Sequence, residues 1–218
     1  MTERNDTDDE FATERDRLAD TLAKRPNITE RAADAIRAVP RHEFVPAGRR
    51  RNAYDDRPLP IGGGQTISAP HMVAIMASEL DLEAGDDVLE IGTGCGYHAA
   101  VTAELVGDDH VYSVEYLEDL AQEARETLES AGYGGVSVRQ GDGYDGWPEH
   151  APYDAAYLTC AAPDFPEAVV NQVRAGGVIV APIGDTRQRL VRAGKREDGT
   201  LEKSDEGAVR FVPMQGGD

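Results

Sequence analysis

The residues able to do chemistry gather around one stretch, Asp87-Val88-Leu89-Glu90-Ile91-Gly92-Thr93-Gly94-Cys95-Gly96-Tyr97. A short apolar run ends in a turn with glycines at 92, 94 and 96, and a helical pattern follows from Tyr97. Glycines let the backbone approach a ligand closely, and the first turn of a helix offers unpaired N–H groups. The spacing E-x-G-x-G-x-G differs from the dinucleotide fingerprint G-x-G-x-x-G. Glu90, just before the turn, would repel a pyrophosphate but suits a ligand with an ammonium and a second positive charge. Glu115 closes the run Val111-Tyr112-Ser113-Val114, about twenty residues on, where an acid can accept both hydroxyl protons of a ribose. Asp142 and Gly143 follow the next apolar run, placing a second carboxylate where it can hydrogen-bond a base. Each acid also has an ordinary reading: a solvated Glu90, a helix-start Glu115 and a turn Asp142.

These residues need a scaffold that brings strand ends together. From Asp87 onward strands and helices alternate, which predicts an α/β fold: a Rossmann-like, doubly wound, mostly parallel sheet with helices on both faces. The strands fall at 88–91, 110–114, 136–139, 153–158 and 178–183, with helices at 97–105, 117–131 and 166–173. Residues 190–193, 201–203 and 209–212 read as C-terminal antiparallel strands, with a hairpin turn at Asp198-Gly199. Two N-terminal helices precede the sheet: Phe11, Leu18 and Leu22 have helical spacing, as do Ala32, Ala33, Ile36 and Val39. Residues 1–9 read as a disordered acidic tail. Residues 10–218 form one domain, divided into N-terminal helices and a substrate-side loop (10–80), a ligand-binding core (87–183) and C-terminal strands (188–214). Gly62-Gly63-Gly64 reads as a mobile or closely packed loop. Ser68 and Pro70 announce a helix through Val73, Ile75, Met76 and Leu80, and on pattern alone Ser68 is its N-cap.

Length and composition limit the function classes. At 218 residues the chain can bury a full core as a single domain. A net charge of -19 disfavours attraction to nucleic acid or anionic membrane. Only three of the 22 basic residues are lysine, and excess carboxylates with arginine in place of lysine suit a salty cytoplasm, where screening weakens self-repulsion. Cys95 and Cys160 form neither a disulfide framework nor a metal-ligand spacing, so no metal is expected. With no apolar run near the roughly 20 residues that span a bilayer, the expectation is a cytoplasmic monomer without membrane or nucleic-acid partners.

Several segments together resemble protein-L-isoaspartate (D-aspartate) O-methyltransferases, nearly end to end. They are Val39-Pro40-Arg41-His42-Glu43-Phe44-Val45-Pro46, Ala53-Tyr54-Asp55-Asp56, Leu59-Pro60-Ile61-Gly62, Gly141-Asp142-Gly143, Ala151-Pro152-Tyr153-Asp154, Phe211-Val212-Pro213 and, most diagnostic, Gly64-Gln65-Thr66-Ile67-Ser68-Ala69-Pro70-His71-Met72. The loop at Gly94 is shared by many S-adenosylmethionine-dependent methyltransferases and is silent on substrate. The resemblance implies the methyltransferase type of the α/β fold, S-adenosyl-L-methionine as cofactor, and isoaspartyl-containing proteins and peptides as substrate. It implies that Ser68 is the active-site serine and touches substrate with Ala69, Val212 and Pro213. Gln65, Thr66 and Ile67 would sit beside the cofactor with Glu90, Gly92, Gly94, Gly96, Glu115, Asp142 and Gly143. The acidic composition adds the expectation of a halophilic archaeal source. Two departures stand out: Cys160 where the family often has a small residue, and a chain that ends soon after Met214. A methyltransferase for another carboxylate would lack the 65–72 segment, and a non-catalytic adaptor would bind cofactor without transfer.

Overall fold

The computed structural model describes the backbone of residues 2–217 and the side chains of residues 10–217. The backbone of the acidic segment continues helix α1, Thr2–Leu22; the expected disordered tail at 1–9 otherwise lies outside the described side chains. Helix α2, Glu30–Ala38, starts at Thr29, whose hydroxyl accepts from the Ala32 N–H at 3.2 Å. Its alanines at 32, 33 and 35 and Ile36 are buried, because small side chains on one helical stripe let the backbone pack closely.

A two-stranded antiparallel hairpin follows, β1 Leu59–Gly62 and β2 Gln65–Ile67. Gly62 at the end of β1 and Gly63 and Gly64 between the strands all take positive φ, at 104°, 57° and 74°, which glycine adopts without a Cβ penalty. They therefore form a fixed hairpin turn where the sequence predicts a loop. A Cβ on Gly63 would lie 3.3 Å from Leu117, so the hairpin tip rests on the start of the helix after Glu115. Helix α3, Pro70–Leu80, then begins with proline in its first turn, and Ala69 is its N-cap with no side-chain cap. Ser68 is thus one residue too early to cap the helix, and the N-cap expectation is corrected.

The core alternates β3 Val88–Ile91, α4 Tyr97–Val106, β4 Val111–Glu115, α5 Glu118–Ser130, β5 Ser137–Gln140, β6 Tyr153–Leu158, α6 Glu167–Gln172 and β7 Val173–Ile183. Strands β8 Gln188–Lys195 and β9 Leu201–Val209 complete a seven-stranded sheet in the order β5-β4-β3-β6-β7-β8-β9. The first four pairings are parallel; β7–β8 and β8–β9 are antiparallel. Alternate residues feed the two faces: Val88, Ala155, Tyr157 and Val180 join α2, α3 and α4 in one core, while Leu89, Ala156, Leu158 and Ile179 pack with Val169 of α6 in the other. Strand β7 begins five residues before its predicted start and contains Gly176 and Gly177. Glycine weakens the local strand signal, but pairing with β6 and β8 overrides it. The expected strand at 209–212 is instead the end of β9 and an irregular segment.

Candidate active site

The sheet reverses its winding between β3 and β6, and open sheets bind ligands in the crevice at such a switch point, beyond the carboxyl ends of the strands. Here the two strand ends meet closely. Thr159 donates from its N–H to Ile91 O at 2.9 Å and from its hydroxyl to Gly92 O at 2.5 Å. Gly92 has φ 97°, and a Cβ there would lie 2.4 Å from Thr159 Oγ1. Only glycine fits both the backbone angle and the space.

Above this point lies a crevice between the hairpin, the glycine turn and the C-terminal segment. The hairpin contributes Gln65, Thr66, Ile67 and Ser68; the glycine loop contributes Gly92 and Gly94; and Glu115 with Gly143 lines the β4–β5 end. Val212, Pro213, Met214 and Gln215 bring in the C-terminal segment. The Ser68 hydroxyl has no hydrogen-bond partner among the described residues and lines the crevice.

Glu115 is held from both sides. Its Oε2 accepts from Gly94 N–H at 2.8 Å and its Oε1 from Leu117 N–H at 3.0 Å. An ionised carboxylate has about four acceptor sites, so each oxygen keeps a lone pair for a ligand hydroxyl while the same group fixes the glycine loop.

Four expected residues lie off the crevice lining. Glu90 is fully buried beneath the glycine loop, accepting from the Ser113 and Tyr157 hydroxyls. Its side chain shares a sheet face with Val88, because residues two apart in a strand point the same way. Burial pushes its pKa up to about 8 against the lowering effect of those two hydroxyls, so burial favours its protonated form. Gly96, with φ 87°, packs its Cα side against Leu128, where a Cβ would come within 2.9 Å. Ala69 is spent on the α3 N-cap. Asp142 accepts from Tyr144 N–H at 2.9 Å and Gly217 N–H at 2.7 Å, which braces the C-terminal segment.

The crevice also has lining residues that the sequence reading passed over. Tyr116 follows Glu115, and Met214 and Gln215 cover the same end; a Cβ on Gly143 would lie 2.9 Å from Met214 Cε. His98, in the first turn of α4, lines the crevice too. Its position two residues past Gly96 was the available signal. Cys95 and Cys160 line the crevice as well, and burial pushes their thiols up to about 11 and 12. Neither is a thiolate at neutral pH, which matches the reading of Cys160 as a small buried hydrophobe.

A doubly wound sheet with this crevice at its switch point, an acid at the end of β4 and a glycine turn after β3 defines an S-adenosylmethionine-dependent methyltransferase. The residues fit that cofactor. Glycines line one side, Glu115 keeps acceptor lone pairs, and His98, whose buried ring nitrogens are unpaired, lines the same crevice. The family model described as Protein-L-isoaspartate(D-aspartate) O-methyltransferase matches residues 13–218. Protein-L-isoaspartate O-methyltransferase 2 of Archaeoglobus fulgidus is 51% identical over 208 residues, covering 95% of each chain. Protein-L-isoaspartate O-methyltransferase of Methanosarcina mazei is 50% identical over 190 residues, covering 87% of this chain and 78% of its own. A solved protein-L-isoaspartate O-methyltransferase superposes with a TM-score of 0.84 at 31% identity, over 93% of this chain and 66% of that longer one. A Plasmodium falciparum chain solved with S-adenosyl-L-homocysteine shares the fold, with a TM-score of 0.79 at 23% identity over 92% of this chain and 98% of its own. The chain belongs to the protein-L-isoaspartate(D-aspartate) O-methyltransferase family.

Proposed function

We propose that this crevice methylates the α-carboxyl of isoaspartyl residues in damaged proteins, with Ser68 orienting that carboxyl and Gln65, Thr66 and Ile67 forming the wall between it and the cofactor. S-adenosyl-L-methionine, when bound, supplies an electrophilic methyl group. The observation that carries the reading is the placement of the unpartnered Ser68 hydroxyl in the same crevice as the glycine turn and Glu115.

The remaining work falls to positioning. A peptide carboxylate with an ordinary pKa near about 4 is ionised at neutral pH and needs no general base. Holding it in line with the methyl group can supply roughly 7 to 11 kcal/mol of the barrier lowering through orientation alone. Ser68 donates to a carboxylate oxygen from the hairpin side. Val212 and Pro213 hold the peptide from the C-terminal side, pinned by the Ala161 N–H to Val212 O bond at 2.8 Å. Glu115 takes the ribose hydroxyls, and the backbone of Gly143 lies beside the base. The product ester closes to a succinimide more readily than the free acid does, so partial return to a normal linkage follows release and requires no second site. D-aspartyl residues are admitted to the extent that this wall tolerates the inverted Cα.

The acidic surface supports a monomer working in a salty cytoplasm. Ser68→Ala tests the central assignment: methyl transfer to an isoaspartyl peptide should fall by about 10- to 100-fold, the worth of a hydrogen bond to a charged group. Affinity for S-adenosyl-L-homocysteine, read by calorimetric titration, should stay within about twofold, within the usual error of such comparisons. Unchanged turnover would remove Ser68 from the site.

A further inference from the structure

His98 presents a discrepancy that the reaction as described leaves open. It is 6% exposed, yet neither ring nitrogen has a hydrogen-bond partner. A buried polar atom left unsatisfied is costly, and this ring carries two. A core position would favour leucine here, since the neighbours are Tyr157, whose ring centroid is 4.4 Å away, and the alanine-rich body of α4. Tyr157 cannot satisfy the imidazole, because its hydroxyl donates to Glu90 and pairs with Thr102 at 2.9 Å. His98 is also one of the residues that line the crevice.

Position along the crevice narrows the partner. Glu115, Tyr116 and Gly143 mark the nucleoside end beyond β4 and β5, and the glycine turn occupies the middle. His98 lies past that turn, against Tyr157 of β6, and lines the same crevice as Ser68, Val73 and Thr159. The cofactor's amino-acid end must reach this region, and it carries a carboxylate. Gly96 gives the α4 N-terminus no side-chain cap, and the helix dipole favours an anion near this end. Burial lowers the His98 pKa to about 3, so the ring enters as a neutral donor with one N–H.

We propose that His98 is a cofactor-binding residue that donates a ring N–H to the α-carboxylate of the methionine end of S-adenosylmethionine, beside the N-terminus of α4. This rests on the cofactor reading above and adds a specific residue to it. The bond to the carboxylate satisfies the donor nitrogen of the ring.

The test compares two ligands by calorimetric titration. S-adenosyl-L-homocysteine has the amino-acid end; 5′-methylthioadenosine keeps the nucleoside and thioether but lacks it. His98→Leu should weaken the first by about 10- to 100-fold, the range for a hydrogen bond to a charged partner. The second should change by less than about twofold. His98→Gln, which retains a donor, should recover most of the loss, and it carries the test if the leucine variant fails to fold. Thermal melting without ligand should show both variants at least as stable as the parent. Equal weakening of both ligands, or unchanged affinity for both, would overturn the assignment, as would unchanged cofactor affinity with a raised KM for isoaspartyl peptide. A parent protein binding neither ligand would overturn the cofactor reading itself, whereas binding that His98 does not influence overturns His98 alone.

Discussion

Two acids at the ends of neighbouring strands meet different fates in this protein. Glu115 keeps lone pairs facing the crevice, while Glu90 is enclosed by Ser113, Tyr157 and the sheet. Both precede turns, and both read as ligand contacts in the sequence; the difference arises because one side chain sits at the strand tip and the other one residue inside it. The buried position has a consequence for stability. Burial raises the Glu90 pKa from its ordinary value near 4.5 to about 8, so between those pH values the native state holds a proton that the unfolded chain has released. Stability from this group therefore falls as pH rises from about 4.5 to 8, and the penalty is absent below that window. Replacing it with a permanently neutral isostere removes the linkage. Urea midpoints measured across this range should fall with pH more steeply for the parent than for Glu90→Gln, and parallel curves would show that Glu90 ionises freely.

At the scale of elements, the periodic segments were readable and the tight turns only partly so. Strands β3 and β6 have their predicted bounds, and α4 and α5 end within a residue of theirs, because long apolar periodicity dominates there. The hairpin β1–β2 was hidden: its strands are four and three residues long, too short for alternation to register, and its glycines indicate a turn without specifying what it joins. The C-terminal segment escaped for another reason. Its place over the crevice depends on long-range bonds, from Met214 N–H to Ala161 O at 2.8 Å and from Gly217 N–H to Asp142, and no local pattern encodes these. The glycine turn, by contrast, was legible and is a tight joint. Gly92→Ala combines a positive φ of 97° with a Cβ 2.4 Å from Thr159 Oγ1. We expect a loss of more than about 1 kcal/mol in chemical denaturation, and weakened cofactor binding because the crevice floor must shift. Stability equal to the parent would mean that the β3–β6 joint is looser than described.

For the molecule as a whole, charge and sheet order set the conditions under which the site forms. A net charge of -19 on 218 residues opposes compaction, and salt screens that repulsion with a Debye length of about 10 Å at 0.1 M and 3 Å at 1 M. The thermal midpoint should accordingly rise by several degrees as KCl is raised through this range, and a flat or falling midpoint would detach the acidic surface from salt tolerance. No helix among the described residues is long and apolar enough to cross a membrane. The sheet order brings the ends of β3, β4 and β6 to one edge, and the hairpin and C-terminal segment close over it, so reagents meet between the two. The most direct measurement supplies the purified chain, in concentrated KCl, with methyl-labelled S-adenosylmethionine and two peptides that differ only in aspartyl or isoaspartyl linkage. Label should enter the isoaspartyl peptide as a base-labile ester and leave the aspartyl peptide bare; equal labelling of both, or none of either despite bound cofactor, would contradict the account.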